Sequence, residues 1–205
     1  MSESFQTSNH IAGGKLTGQK PALKMKEVWA IRTRLELEGN TRSLAMFNLA
    51  IDSKLRGCDL VRIRVSDIFA GGEVKTRGVI IQKKTSRPVH FEISRNTRKT
   101  VKALIDEKGL NSEDYLFKSR VRSSPHLSTR QYSRLVQHWV ASIGLNPATY
   151  GTHSLRRTKA ALIYRKTGNL RAVQLLLGHS KLESTVRYLG VEVDDALEIS
   201  SSIDL

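Results

Sequence analysis

The chain has 205 residues, of which 39% are hydrophobic and 26% are charged, and Cys58 is its one cysteine. This length and composition are typical of one or at most two globular domains and exclude a fibrous or disordered chain. A single cysteine excludes an intramolecular disulfide, and no apolar run approaches the ~20 residues of a membrane span. We therefore expect a globular protein of a reducing, cytoplasmic setting with no membrane partner.

The charge of the chain is strongly positive and unevenly distributed. The net charge is +15, from 34 Lys and Arg against 19 Asp and Glu. Between Asp114 and Glu183 the sequence contains 12 basic residues and no acidic one. Phosphates repel carboxylates, so a long stretch of one sign indicates a surface that binds a polyanion, and nucleic acid is the first expectation. After Glu183 acids predominate, and this tail is not expected to lie against DNA.

The first half of the chain alternates between helical and strand patterns. Residues 1–23 are polar and contain several glycines, which predicts a flexible arm. Apolar residues recur at helical spacing in 24–38 and again in 41–57, and a third short helix is expected directly afterwards. The segments 74–81 and 88–93 are rich in β-branched residues and flank a polar break, which predicts a hairpin or two strands of a small sheet.

The second half is predicted to be helical. Glycine ends two consecutive predicted helices, and a polar Ser180-Lys181-Leu182-Glu183 segment has the form of a capping box at the start of a short one. The whole pattern predicts a mostly α fold with a small antiparallel β-sheet, an α+β protein. The predicted helices cover 96–108, 129–143, 154–167, 170–177, a short segment after Ser180, and 194–202.

Three short motifs combine arginine, histidine and tyrosine. Arg56 follows an apolar helix, and His153 and Arg156 lie three residues apart, which places both on one face of a helix start. His179 occupies a turn after a glycine, and Tyr188 follows nine residues later. Each feature alone has a structural explanation; an arginine at a helix end, for example, can complement the helix dipole.

Together these residue types suit the cleavage of a phosphodiester. Guanidinium groups bind the non-bridging oxygens in bidentate fashion. A histidine can accept the proton of a tyrosine hydroxyl, whose ordinary pKa is about 10, while the tyrosine attacks phosphorus. Such a site needs no metal, because fixed side chains supply its positive charge, and the motif region holds no carboxylate that would bind Mg²⁺.

At these residues the chain resembles the catalytic domain of the tyrosine recombinase (phage integrase) family. That family has an arginine after an apolar helix, a lysine in a β-hairpin, a His-x-x-Arg box, a Leu-Gly-His box and a tyrosine about nine residues later. The resemblance covers about 24–192 and implies catalytic roles for six residues, with the last as the nucleophile. These are Arg56, Lys84, His153, Arg156, His179 and Tyr188.

At two positions the sequence leaves the family pattern open or departs from it. Lys75, Lys83 and Lys84 all lie in or beside the predicted hairpin; the similarity of its turn to the family's Lys-Thr-Gly turn favours Lys84, while Lys83 stays open. A lysine there would protonate the leaving 5′ oxygen. Arg157 stands where the family often has histidine, and we expect its side chain to point away from the catalytic face.

The resemblance also implies an organisation and an activity. Most family members carry a helical DNA-clamping domain before the catalytic one, whereas only about 23 residues precede it here, as in minimal members of the family. We expect a catalytic domain at 24–192 and an acidic tail at 193–205 that docks on a neighbouring protomer or on the chain's own basic body. The implied partners are double-stranded DNA and further copies of the chain. Candidate DNA-binding residues are Arg130, Arg134, Arg157 and Lys159.

The implied function is site-specific cleavage and rejoining of duplex DNA through a 3′-phosphotyrosyl bond, in integration, excision or inversion. That bond conserves the energy of the phosphodiester, so no cofactor is expected. A type IB topoisomerase has similar chemistry but usually has lysine where His153 stands. The alternative of another class is a non-catalytic or regulatory DNA-binding relative that keeps the fold. An RNA-binding module is disfavoured, because the strands carry no paired aromatic residues.

Overall fold

The computed structural model of the chain describes residues 20–121, 123–189 and 201. Apart from residue 201, the predicted helix 194–202 and the tail 193–205 therefore lie outside the described residues, as does most of the predicted arm. Within the described ranges the fold is mostly α-helical with two small antiparallel sheets, which confirms the predicted fold class.

Helices account for most of the regular structure, and their order follows the predicted one closely. Two four-residue helices connect the second long helix to the sheets. The helices are α1 (Met25–Leu37), α2 (Thr41–Ser53), α3 (Gly57–Leu60), α4 (Val65–Ile68), α5 (Arg95–Lys108), α6 (Thr129–Ser142), α7 (Thr152–Thr167), α8 (Leu170–Leu177) and α9 (Leu182–Leu189).

The strands form two separate hairpins. In the smaller one, β1 (Phe69–Ala70) pairs with β2 (Glu73–Val74), and in the larger one β3 (Arg77–Ile81) pairs with β4 (Pro88–Glu92). The larger hairpin is the predicted one. Val89 and Phe91 of β4 are buried while their neighbours are exposed, as expected for a strand with one face on the core.

The centre of the main core is α2, which packs against α1, α5 and α7. Every residue from Ser43 to Ser53 is buried, because other elements cover this helix on all sides. The edge of the Phe47 ring meets the Trp139 ring of α6 at a centroid distance of 5.6 Å. This rigid centre supports the end of α2, where the first candidate arginine follows.

A second, smaller core lies between α7, α8 and α9. Ala160, Val173 and Leu177 are its buried centre, and Tyr164 and Tyr188 are among the partly buried residues that pack against it. Apolar packing of α9 on this cluster therefore places Tyr188 beside α7, which carries the His153 motif.

The boundary of the predicted arm at residue 23 is wrong. Leu23 is 1% exposed, and its backbone N–H donates to Thr158 Oγ1 of α7 at 3.0 Å. Arg157 Nη1 donates to the Lys20 carbonyl at 2.6 Å. Residues 20–23 are thus part of the packed domain, because α7 offers both an apolar site and hydrogen-bonding groups to this segment.

Candidate active site

Arg56 lies where the chain turns sharply after the buried helix α2. Lys54 adopts a left-handed conformation with φ +56° after the last helical residue, and Arg56 itself is extended, directly before α3. Its guanidinium Nη1 donates to the side-chain oxygen Oε1 of Gln82 at 2.5 Å. The end of α2 and the larger hairpin are therefore joined at this arginine.

The turn between β3 and β4 is fastened to the same region. Gln82 is 1% exposed and its Oε1 also accepts a hydrogen bond from Thr85 Oγ1 at 2.9 Å. The backbone N–H of Lys83 donates to Asp59 Oδ1 of α3 at 2.9 Å. The side chain of Lys84 is exposed in this turn. Its charge is one of those that lower the pKa of His153.

Arg156 is buried in the first turns of α7, with 2% exposure. Its Nη2 donates to the carbonyl of Leu177, the last residue of α8, at 2.7 Å. Its Nη1 is buried and has no hydrogen-bond partner among the residues that the structure describes. A buried guanidinium with an unused donor is costly unless an acceptor binds it, and an anionic oxygen is the strongest such acceptor.

His153 lies one turn before Arg156 and is exposed. Partial burial, followed by the charges of Arg156, Arg157, Arg56 and Lys84, lowers the pKa of His153 below its usual range. The imidazole is consequently neutral near pH 7, with a lone pair available to accept a proton.

His179 follows Gly178, whose left-handed conformation (φ +63°) ends α8. Its Nδ1 lies 3.0 Å from Thr185 Oγ1, and its Nε2 lies 3.5 Å from Arg156 Nη2. A guanidinium only donates, so we assign Nε2 as the acceptor and Nδ1 as the protonated nitrogen. Burial and the charges of Arg156 and Arg56 lower the pKa of His179 to about 4.

Tyr188 lies in α9 with its ring between the cationic groups and His179. The edge-on ring of His179 is 5.4 Å away, and the guanidinium carbon of Arg157 lies 4.6 Å from the Tyr188 centroid. The hydroxyl of Tyr188 donates to the backbone carbonyl of His153 at 3.4 Å. Burial raises the pKa of Tyr188, while the charges of Arg156 and Arg157 oppose that rise.

The structure thus brings the sequence-predicted residues to one place. Contacts connect His153, Arg156, His179 and Tyr188, and the charge of Arg56 acts on three of these groups. Lys84 is exposed in the hairpin turn, and its charge is near enough to lower the pKa of His153. Their catalytic roles stay predictions.

Two residues at this site were missed from the sequence. Gln82 reads as a surface residue beside two lysines, and nothing local signals its burial. Asp59 follows Arg56 by three residues, which places it one turn further on, and that spacing was an available signal. Burial lowers the pKa of Arg156 and the charge of Asp59 opposes that shift, so this carboxylate lies close to the same cationic groups.

Two of the candidate DNA-binding residues are corrected by the structure. Arg157 is 9% exposed and its guanidinium lies against Tyr188 instead of pointing away from the site. Lys159 donates to Asp52 Oδ1 at 2.9 Å and to Glu92 Oε1 at 2.5 Å. The Arg157 guanidinium is thus engaged by Tyr188 and the Lys20 carbonyl and the Lys159 ammonium by two carboxylates, so the structure gives no support for DNA contact by either side chain.

The other two candidates, Arg130 and Arg134, are exposed on α6, one turn apart. Their contact with DNA stays a prediction. Among the described residues, no group of three or more His, Cys, Asp or Glu could hold a metal ion. In the same part of the chain no helix is both long and apolar enough to cross a bilayer.

Comparison with known proteins decides the family. The family model described as "Phage integrase family" matches residues 22–194. The chain belongs to the phage integrase family. Members of this family include tyrosine recombinases. A probable integrase/recombinase YoeC of Bacillus subtilis (strain 168) is 27% identical over 175 residues, which cover 85% of this chain and 91% of that protein. A tyrosine recombinase of Pseudothermotoga lettingae is 32% identical over 153 residues, 74% of this chain and 50% of that one.

Solved structures of other integrase-family proteins share the fold. A XerA recombinase superimposes with a TM-score of 0.73 at 19% identity, covering 90% of this chain and 65% of that one. A XerH site-specific recombinase bound to its difH substrate in a pre-cleavage complex gives a TM-score of 0.69 at 19% identity, covering 90% and 55%. This integrase-family chain therefore spans nearly all of the Bacillus relative but only about half of the Pseudothermotoga recombinase.

Proposed function

We propose that this chain is a site-specific DNA recombinase that cleaves and rejoins duplex DNA through a covalent 3′-phosphotyrosyl intermediate. The observation that carries the proposal is the buried guanidinium of Arg156. It has an unused donor at Nη1, and Tyr188 and His179 lie directly beside it. A phosphodiester at this point would complete the hydrogen bonds of the arginine and present its phosphorus to the tyrosine.

Arg56 and Arg156 form the proposed phosphate clamp. Each guanidinium group donates a hydrogen bond to a neutral acceptor, Arg56 to Gln82 Oε1 and Arg156 to the Leu177 carbonyl. Neutral acceptors orient a guanidinium without cancelling its charge, so the charge remains available to the phosphate. Fixed cations of this kind stabilise the charge that develops on the non-bridging oxygens in the transition state.

The covalent step exchanges one phosphate ester for another. The Tyr188 oxygen attacks phosphorus and forms a new P–O bond, while the bond from phosphorus to the 5′ oxygen of the next nucleotide breaks. The phenolic proton leaves to a base, and the departing 5′ oxygen gains a proton from an acid. The reverse reaction with a 5′ hydroxyl of another strand rejoins the DNA and releases Tyr188.

We assign His153 as the base and Lys84 as the acid. His179 is the weaker candidate for the base, because Arg156 and Thr185 already occupy its two ring nitrogens. His153 is exposed, its lowered pKa keeps the ring neutral near pH 7, and the Tyr188 hydroxyl donates to the carbonyl of the same residue. Lys84 is favoured over Lys83 because its charge is the one that acts on His153.

The proposed substrate is a specific duplex site, and the proposed active form is an assembly of several copies on DNA. The net charge of +15 and the acid-free stretch before Glu183 support binding to a polyanion. Residues 24–192 would be the catalytic domain. Residues 193–205 combine apolar and acidic side chains, and we propose that this tail docks on a neighbouring protomer and so couples assembly to the placement of Tyr188.

The test is covalent trapping on a nicked suicide duplex that carries the target site. Wild-type protein should form a protein–DNA adduct, and Tyr188→Phe should abolish it while DNA affinity stays within a few-fold. Tyr164→Phe is the matched control, since Tyr164 packs against the same small core and should leave the adduct intact. Gel shifts without an adduct from wild-type protein would favour the non-catalytic DNA-binding alternative.

The clamp is tested separately from general DNA attraction. Arg56→Ala and Arg156→Ala should each slow cleavage by ~3 kcal/mol or more of activation free energy, as does removal of a charge-stabilising donor in other enzymes. Arg165 is exposed near the end of α7. Arg165→Ala should instead weaken binding and reduce its salt dependence by about one charge. Equal effects of the three substitutions on cleavage and on binding would contradict the clamp.

A further inference from the structure

Gln82 occupies a junction that the proposed chemistry does not yet use. It directly follows β3, is 1% exposed and touches three separate elements of the site. Its Oε1 accepts from Arg56 Nη1 at 2.5 Å and from Thr85 Oγ1 at 2.9 Å, and its Nε2 donates to the Leu177 carbonyl at 3.5 Å. One amide therefore connects the end of α2, the turn of the larger hairpin and the end of α8.

The same Leu177 carbonyl accepts the hydrogen bond from Arg156 Nη2 at 2.7 Å. A continuous path of hydrogen bonds thus runs from Arg56 through the Gln82 amide and the Leu177 carbonyl to Arg156. We propose that Gln82 is a positioning residue that fixes Arg56 relative to Arg156, so that both guanidinium groups meet one phosphate. The assignment rests on the proposed function, because it gives Gln82 a role in the clamp of that reaction.

The chemistry of the side chain fits this role closely. An amide oxygen has two lone pairs, which serve Arg56 and Thr85 together, and the amide nitrogen supplies the donor that the Leu177 carbonyl needs. A carboxylate could not donate to that carbonyl, and an apolar side chain could do neither. A Cβ at Gly178 would lie 3.1 Å from Gln82 Nε2, so the absence of a side chain at Gly178 leaves room for the amide.

Burial of Gln82 explains why the amide holds Arg56 in one orientation. Gln82 is 1% exposed while Arg56 is half-buried, so loss of the amide removes the buried acceptor and the guanidinium reorients toward solvent or another partner. Because Gln82 does not face the substrate in this scheme, its loss should slow cleavage by displacing Arg56, while the affinity for DNA changes little.

The experiment is a double-mutant cycle between Gln82 and Arg56, read out as the single-turnover rate of adduct formation on the suicide duplex. Gln82→Met keeps the length of the side chain but removes the amide. It should slow cleavage about 10- to 100-fold, the range expected for losing a hydrogen bond to a charged group. In an Arg56→Ala background the same substitution should change the rate by less than about threefold, because the group it positions is gone.

Gln174 provides the matched control for losing a buried glutamine. It is 3% exposed, and its Oε1 accepts from Arg171 Nη1 of the same helix α8 at 2.7 Å. Gln174→Met should therefore lower the melting temperature about as much as Gln82→Met does but leave the cleavage rate within a few-fold of wild type. If Gln82→Met does not fold, Gln82→Asn, whose shorter amide cannot span the same groups, replaces it in the cycle.

The outcomes separate this assignment from the proposed function. If the wild-type protein cleaves and the folded Gln82 variant cleaves at the same rate, the positioning role is overturned and the recombinase proposal stands. Equal losses from Gln82→Met with and without Arg56 also overturn it, because they would show a general structural effect. Absence of any adduct from wild-type protein overturns both proposals.

Discussion

Arg156 Nη2 lies 3.5 Å from His179 Nε2, so a permanent cation is in contact with a ring that must be neutral to accept from it. Protonation of the ring would place two positive charges side by side in a buried site. Together with desolvation, this contact explains the low pKa of His179, about 4.

We expect this histidine to make the fold less stable in mild acid. An unfolded histidine titrates near pH 6.5, about 2.5 units above the folded group, so the unfolded state binds more protons between these values. The free energy of unfolding should therefore fall as the pH drops from 7 to 5, by on the order of 1–2 kcal/mol from this residue. Urea unfolding at both pH values measures it, and His179→Gln should show a smaller fall. Identical pH dependence in the two proteins would contradict the assignment.

Two glycines that end consecutive helices should respond differently to alanine. Gly168 and Gly178 have nearly the same left-handed φ, +62° and +63°. A Cβ at Gly178 would lie 2.5 Å from Val89 Cγ2, whereas a Cβ at Gly168 meets nothing within 4 Å. We expect Gly168→Ala to cost about 1 kcal/mol of unfolding free energy from backbone strain alone. Gly178→Ala should cost clearly more and also slow cleavage, since His179 follows it; equal costs in thermal unfolding would refute this.

Lys159 should matter for stability and not for DNA attraction. Burial tends to raise the pKa of Asp52, but hydrogen bonds from Ser94, Thr97 and Lys159 lower it overall, so the carboxylate stays charged. Lys159→Met removes the ion-pair partner of this 5%-exposed carboxylate, and the cost is expected to be about 3 kcal/mol of unfolding free energy. The salt dependence of DNA binding should not change. Arg134→Ala should show the opposite pattern, with a smaller salt dependence and unchanged stability.

Lys54 is a buried cation, and we expect the fold not to need its charge. It is 1% exposed, its Nζ donates to the Asp52 carbonyl at 2.6 Å, and burial and the charge of Lys159 lower its pKa to about 8. Because an unfolded lysine stays protonated to about pH 10.4, wild-type stability should rise between pH 8 and pH 10 through this group.

Lys54→Met tests this expectation. The apolar side chain of similar size should leave the free energy of unfolding at pH 7 unchanged or slightly higher, because it removes the desolvation of a buried charge. The rise in stability above pH 8 should become smaller. A loss of more than ~1 kcal/mol at pH 7, measured by denaturant unfolding, would show that the hydrogen bond to Asp52 outweighs the burial of charge.

The parts of the fold that were predictable carry local signals. Helix α8 begins and ends as predicted, because Gly168 and Gly178 supply the left-handed residues at which the two helices end. Helix α4 and the smaller hairpin were missed, since elements of four and two residues have no periodicity to detect. Helix α7 begins at Thr152, two residues earlier than predicted.

The site divides in the same way. The six motif residues were predictable because their residue types and their order along the chain match the family pattern. The role of Gln82 was not, because it depends on a contact with Leu177, which is 95 residues away in sequence. Arg157 was wrongly expected to point away from the site, because the helical face of Arg156 alone does not reveal that α9 covers both arginines. Lys159 was misassigned because its partners Asp52 and Glu92 are distant in sequence.

The contact of Arg157 with both Lys20 and Tyr188 has a thermodynamic consequence. The Arg157 guanidinium packs against the ring of Tyr188, the proposed nucleophile, and its Nη1 donates to the Lys20 carbonyl. The Lys20 ammonium in turn donates to the Ala148 carbonyl. Coupling between two sites is reciprocal, so a change that stabilises one side of this contact network stabilises the other side by the same free energy. If the ordered segment leading into α1 favours the proposed bond between Tyr188 and DNA, then forming that bond would favour the ordered segment by the same free energy, and order at the beginning of the domain would depend on the state of the tyrosine.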